Sequence, residues 1–74
     1  MGDMKEGRIE NNIRFLRFKK GEMTQQELAD LVGVTRQTIH AIEAAKYSPS
    51  LDLAFKIADV FNQPLEEVFK YVKE

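Results

Sequence analysis

The stretch Thr35-Arg36-Gln37-Thr38, continued by His40 and Ala41, gathers side chains suited to recognition through hydrogen bonds and methyl contacts. The planar fork of Arg36 can donate two parallel hydrogen bonds, which matches the O6 and N7 acceptors on the major-groove edge of guanine. The Gln37 amide, donor and acceptor together, matches N6 and N7 of adenine. Thr38 or Ala41 can meet a thymine methyl, and His40 falls at the edge of the same surface. Catalysis finds no comparable set. The chain has no Cys and one His, and no nucleophile with its base, glycine-rich phosphate loop or ligand cluster can be assembled from it. Neither an enzyme, a metal nor a cofactor is expected.

For these residues to act together, a helix must begin beneath them. Thr35 is a good N-cap for it, and Ile39 and Ile42 give it an apolar stripe that leaves Arg36, Gln37, His40 and Ala41 nearer the other face. Just upstream, Thr24-Gln25-Gln26-Glu27 has the pattern of a capping box, which starts a helix running to about Val32. Gly33 accepts a positive φ at low cost, so the two helices meet at a tight turn. Ala29 is small where they cross, and Val34 plugs the corner. Together, residues 25–43 carry the spacing of a helix-turn-helix, whose second helix enters the DNA major groove while the first lies across the backbone.

The remaining elements follow from the same periodicity. Ile13, Leu16, Arg17 and Lys20 have helical spacing, and Gly21 stops that helix after a basic last turn. After the loop Tyr47-Ser48-Pro49-Ser50, Ser50 caps a helix with Ala54, Ile57, Ala58 and Phe61 at i, i+3, i+4 and i+7. Asn62-Gln63-Pro64 breaks it, and Leu65, Val68, Phe69 and Val72 form a last short stripe. Five short helices result. Arg8-Ile9-Glu10 and Lys70-Tyr71-Val72-Lys73 alternate polar with apolar; pairing as short strands and extension of the flanking helices remain equal alternatives. Residues 1–7, with two glycines and no apolar period, read as a loose leader to a domain of residues 8–74.

At 74 residues the chain holds one domain with one modest core, and 43% hydrophobic with 31% charged residues suits a folded, water-exposed protein. A net charge of −1 is not the basic balance of most nucleic-acid binders, but its distribution is uneven. Residues 8–20 hold Arg8, Arg14, Arg17, Lys19 and Lys20 against Glu10. Residues 51–74 hold Asp52, Asp59, Glu66, Glu67 and Glu74 against Lys56, Lys70 and Lys73. One end can face phosphate while the other faces elsewhere. No apolar run approaches the roughly 20 residues that cross a bilayer, so no membrane partner is expected and the expected location is the cytoplasm.

Met23-Thr24-Gln25-Gln26-Glu27-Leu28-Ala29, Val32-Gly33-Val34-Thr35-Arg36-Gln37-Thr38-Ile39 and Ala41-Ile42-Glu43 together resemble the Xre, or Cro/CI-type, helix-turn-helix transcriptional regulators. The resemblance covers roughly residues 12–69. Tyr47-Ser48-Pro49-Ser50-Leu51, Leu53-Ala54-Phe55-Lys56-Ile57-Ala58 and Pro64-Leu65-Glu66-Glu67-Val68-Phe69 extend it to a compact single-domain subgroup whose members are typically homodimeric. It implies an all-α, five-helix, lambda-repressor-like DNA-binding domain. Three features depart from the pattern. Glu22 looks like a one-residue insertion, His40 stands where the subgroup commonly has Asn, and Phe15 and Phe18 replace polar or small residues.

On this resemblance Arg36, Gln37, Thr38, His40 and Ala41 are expected to read bases, and Thr24, Gln25, Thr35, Lys46 and Tyr47 to contact phosphates. Tyr47 has the alternative of closing the core beneath Pro49. Arg17 and Glu43 are expected to form a partly buried structural pair linking the first helix to the third. Phe61, Leu65, Val68, Phe69 and Tyr71 offer more apolar surface than one small core obviously needs, so a twofold homodimer through this end is expected, the alternative being that they all close the core of a single copy. Its two reading helices would lie about 34 Å apart. The expected function is a sequence-specific regulator of transcription, a repressor, reading an inverted repeat in double-stranded DNA. The alternative is an antitoxin-like or protein-binding helix-turn-helix module.

Overall fold

The computed structural model describes residues 7–73. Its elements run β1 (Gly7–Asn11), α1 (Ile13–Lys19), α2 (Gln25–Val32), α3 (Arg36–Glu43), α4 (Leu51–Val60), α5 (Leu65–Val68) and β2 (Phe69–Lys73). Side-chain hydroxyls start three of the helices. The Glu27 amide donates to Thr24 Oγ1 at 3.0 Å and the Thr24 amide donates to the Glu27 carboxylate at 2.8 Å, closing both halves of the capping box before α2. The Thr38 amide donates to Thr35 Oγ1 before α3, and the Leu53 amide donates to Ser50 Oγ before α4. Each cap satisfies a backbone donor that the first helical turn leaves without a partner.

Between α2 and α3 the chain turns at Gly33, with φ 79°, and the Gly33 and Val34 amides both donate to the Ala29 carbonyl. Ala29 is fully buried at this crossing, as its size predicts. Ile13, Leu28, Ile39, Ile42, Ile57 and Val68 are the largest fully buried side chains and join α1 through α5 in one core. Leu16, Met23, Val34, Val60, Leu65 and Phe69 pack around it partly buried.

The two alternating fringes pair as strands. β1 and β2 run antiparallel in a register from Gly7 opposite Lys73 to Asn11 opposite Phe69. A two-stranded ribbon is marginal alone, and this one is tied to the core at its inner end. The Asn12 amide donates to the Val68 carbonyl at 2.9 Å and Asn12 Nδ2 to the Glu67 carbonyl at 3.0 Å, while Asn11 Nδ2 reaches the Ile42 carbonyl at 2.9 Å. Gly7, expected in the leader, is the first residue of β1, and the Tyr71 ring occupies the space a Cβ there would need. The rest of that leader, residues 1–6, lies outside the described residues.

α3 and α4 each end in a Schellman arrangement, with a left-handed residue just past the helix. After α4 that residue is Asn62, φ 54°, whose type tolerates the conformation. After α3 it is Ala45, φ 61°, held as the Lys46 amide donates to the Ala41 carbonyl and the Ala45 amide to the Ile42 carbonyl. An alanine Cβ opposes this conformation by about 1–2 kcal/mol, and the looser unfolded chain of a glycine variant offsets roughly half of that. Ala45→Gly should therefore stabilise the protein by about 0.5–1 kcal/mol and raise its thermal midpoint by a few degrees, read by circular dichroism melting. An unchanged or lower midpoint would contradict the strain.

Candidate nucleic-acid interface

Two helix N-termini, those of α2 and α3, carry the side chains singled out by the sequence. Arg36, Gln37 and His40 are exposed on α3, Thr38 and Ala41 are half-buried beside them, and Ile39 and Ile42 hold the opposite face in the core. Residues four apart share a helical face, so Arg36 stands with His40, and Gln37 with Ala41. The Thr38 hydroxyl lies 3.0 Å from that of Thr35, so these two are hydrogen-bonded to each other.

A polar cleft lined by Arg14, Arg17, Gln25, Arg36, His40 and Glu43 opens between α1, α2 and α3. Its floor is an ion pair. Arg17 Nε and Nη2 donate to the two Glu43 carboxylate oxygens at 2.6 and 3.1 Å, with side chains only 14% and 10% exposed. The bidentate geometry suits a charge held largely out of water. Glu43 also stands at the C-terminal end of α3, where the helix dipole disfavours an anion, so Arg17 offsets both costs. Arg17 Nη1 donates as well to the Met23 carbonyl at 2.6 Å, fixing the loop that leads into α2. That loop holds two consecutive left-handed residues, Gly21 at φ 71° and Glu22 at φ 57°.

The pair continues outward into the reading surface. Gln25 Nε2 donates to Glu43 Oε1 at 3.1 Å, and Arg36 Nη1 lies 3.5 Å from Gln25 Oε1. A single chain of contacts thus runs from α1 through the end of α3 and the start of α2 to the first residue of α3. Glu43 balances Arg17, which leaves Arg14 and Arg36 with the positive ends of two helix dipoles, an arrangement that favours an anion such as phosphate.

The structure thereby brings Gln25, Arg36 and His40 together over the Arg17–Glu43 pair, while Thr24 and Thr35 stay exposed at their caps. Lys46 and Tyr47 lie outside this cleft. Tyr47 is exposed and lines a separate hollow with Ile42, Ala45, Pro49 and Phe69. Of the side chains expected at a dimer contact, Phe61 and Val68, 7% and 0% exposed, belong to the core of the single chain. Leu65 and Phe69 are half-buried and Tyr71 is exposed. Sequence reasoning counted Arg14 only as part of the basic stretch of residues 8–20, and passed over the Gln25 bridge and Leu51 and Phe55, apolar yet 67% and 54% exposed on α4. The i, i+4 spacing of Leu51 and Phe55 was the available signal for a second apolar face.

Among the described residues no group of His, Cys, Asp and Glu could hold a metal ion, and no helix is long and apolar enough to cross a membrane. The helix-turn-helix family profile (HTH_3) matches residues 16–68. An uncharacterized HTH-type transcriptional regulator from Archaeoglobus fulgidus is 52% identical over 66 residues, covering 89% of this chain and 93% of the relative. The uncharacterized HTH-type regulator MJ0272 from Methanocaldococcus jannaschii is 48% identical over 63 residues, covering 85% and 94%. YgzD from Bacillus subtilis, another of this type, is 46% identical over 61 residues, covering 82% and 91%. Among solved structures, the transcriptional regulator VanUg shares the fold with a TM-score of 0.73 at 19% identity, covering 97% of this chain and 95% of that one. With most of its length matched both by the profile and by these relatives, the chain belongs to the helix-turn-helix family of HTH-type transcriptional regulators.

Proposed function

We propose that the protein is a sequence-specific transcriptional regulator of the Xre or Cro/CI type, a repressor that binds an inverted repeat in double-stranded DNA as a homodimer. The observation that carries this reading is the tethering of Arg36. It stands exposed on the first turn of α3, steered through Gln25 by an ion pair that is itself nearly buried. The 3.5 Å contact with Gln25 biases the direction of this exposed side chain without fixing it, which favours recognition. Gln37 and Ala41 then face neighbouring base edges, with His40 at the groove wall. Thr24, Gln25 and Thr35 supply phosphate contacts at the two helix starts, with Lys46 and Tyr47 reaching phosphate beyond the end of α3. Arg14, lining the same cleft, adds a further cation.

Dimerisation is proposed through the exposed Leu51 and Phe55 of α4. These apolar side chains lie on the surface of the single chain, whereas Phe61 and Val68 do not.

Selecting bound fragments from a random DNA pool and titrating the winner at two salt concentrations tests the reading. Affinity should fall steeply with salt as counterions leave the phosphates. Arg36→Ala should cost about 1–3 kcal/mol and relax preference at one base position, and Arg36→Lys should not restore it, because a single ammonium cannot reproduce the fork. Failure to enrich any fragment, or an Arg36→Ala loss spread evenly over all sequences, would refute base reading by Arg36.

A further inference from the structure

α1 presents a second surface, which takes no part in the cleft's ion pair. Phe15 and Phe18 are 59% and 65% exposed, and with Asn11, Asn12 and Arg14 they line a shallow groove. Their three-residue spacing puts both rings on one side of the helix, while Ile13 and Leu16 serve the core. Lys19 Nζ lies 5.5 Å from the centre of the Phe15 ring. The helix from Ile13 to Lys19 contains no acid, so the basic rim is not neutralised from within the element. Two adjacent, largely exposed phenylalanines are costly to leave in water and mark a contact surface more often than isolated apolar residues do.

We propose that this face of α1 is the docking surface for an acidic segment of another protein, one that offers two apolar anchors at helical spacing flanked by Asp or Glu. Its anchors would cover Phe15 and Phe18, and its carboxylates would meet Arg14 and Lys19. Charge selects this occupant over a second copy of the chain. Twofold packing of the face on itself would bring Arg14 and Lys19 against Arg14 and Lys19, and like charges at an interface are repulsive. The site is independent of the DNA reading, apart from Arg14, which borders both grooves.

The test uses the full chain and a fluorescein-labelled synthetic amphipathic peptide with two leucines four residues apart among glutamates; its control carries lysines in place of the glutamates. Fluorescence anisotropy should show saturable binding of the acidic peptide only. Phe15→Ser with Phe18→Ser should weaken it at least about tenfold, with the thermal midpoint and the affinity for selected DNA unchanged. Phe15→Ser alone should give a smaller loss. Equal binding of the two peptides, or equal binding by wild type and variant, would overturn the proposal. So would a lower sedimenting mass of the variant, which would assign the face to self-association, or a loss of DNA affinity, which would assign it to nucleic acid.

Discussion

Glu43→Ala should destabilise the protein by about 3–5 kcal/mol, because it leaves the Arg17 guanidinium largely out of water without its counter-charge. A chain of this length has a total stability on the order of 4–11 kcal/mol, so the loss is a large share of the whole. Urea unfolding at fixed protein concentration measures it, and a loss below about 1 kcal/mol would show the pair to be a solvated surface contact. Pairing Glu43→Leu with Arg17→Met should restore most of the stability, since well-packed apolar residues replace a buried ion pair at little or no net cost. It should not restore DNA binding. Gln25 would lose its acceptor on Glu43, and Arg36 would lose the anchored partner that steers it. Stability recovered with affinity still low would separate the two roles of the pair; recovery of both would show that Arg36 needs no tether.

The second large effect concerns assembly. Leu51→Ser with Phe55→Ser should leave the fold intact, as both side chains are more than half exposed. Affinity for the selected inverted repeat should nonetheless fall by about 10²–10⁴-fold, the gain lost when two linked half-site contacts become independent. Sedimentation should show a halved mass, and binding to an isolated half-site should change little. If the mass and the affinity both stay at wild-type values, the twofold contact does not use α4.

Much of this architecture could be read in the residues, because its signals are local. Thr24, Thr35 and Ser50 each cap the helix that starts at the next residue by accepting from the amide three residues on, and Gly33 turns the chain where a residue without Cβ does so cheaply. What could not be read depends on contacts between distant segments. Alternation over residues 8–10 and 70–73 was compatible with strands or helix ends until pairing between them decided it. The stripe through Phe61 and Val68 showed that those residues seek cover, but periodicity does not say whether the cover comes from the same chain or another. Gln25 reads as a plain surface amide until the fold places Glu43 beneath it and Arg36 beside it.

The β1–β2 ribbon bears on how the molecule comes apart. Its strands are separated by nearly the full described length, so closing it costs more chain entropy than any helical contact and rewards that cost only once α1 and α5 are in place. Its inner hydrogen bonds, from Asn12 to Val68 and Glu67, adjoin a fully buried side chain, whereas its outer end lies open to solvent. Fraying from Gly7 inward can therefore proceed without touching the reading helices until it reaches Asn11 and Asn12. There the Asn11 bond to the Ile42 carbonyl joins it to the last turn of α3. The ribbon is a clasp: exposed to solvent at its tip, and joined at its root to the last turn of the recognition helix.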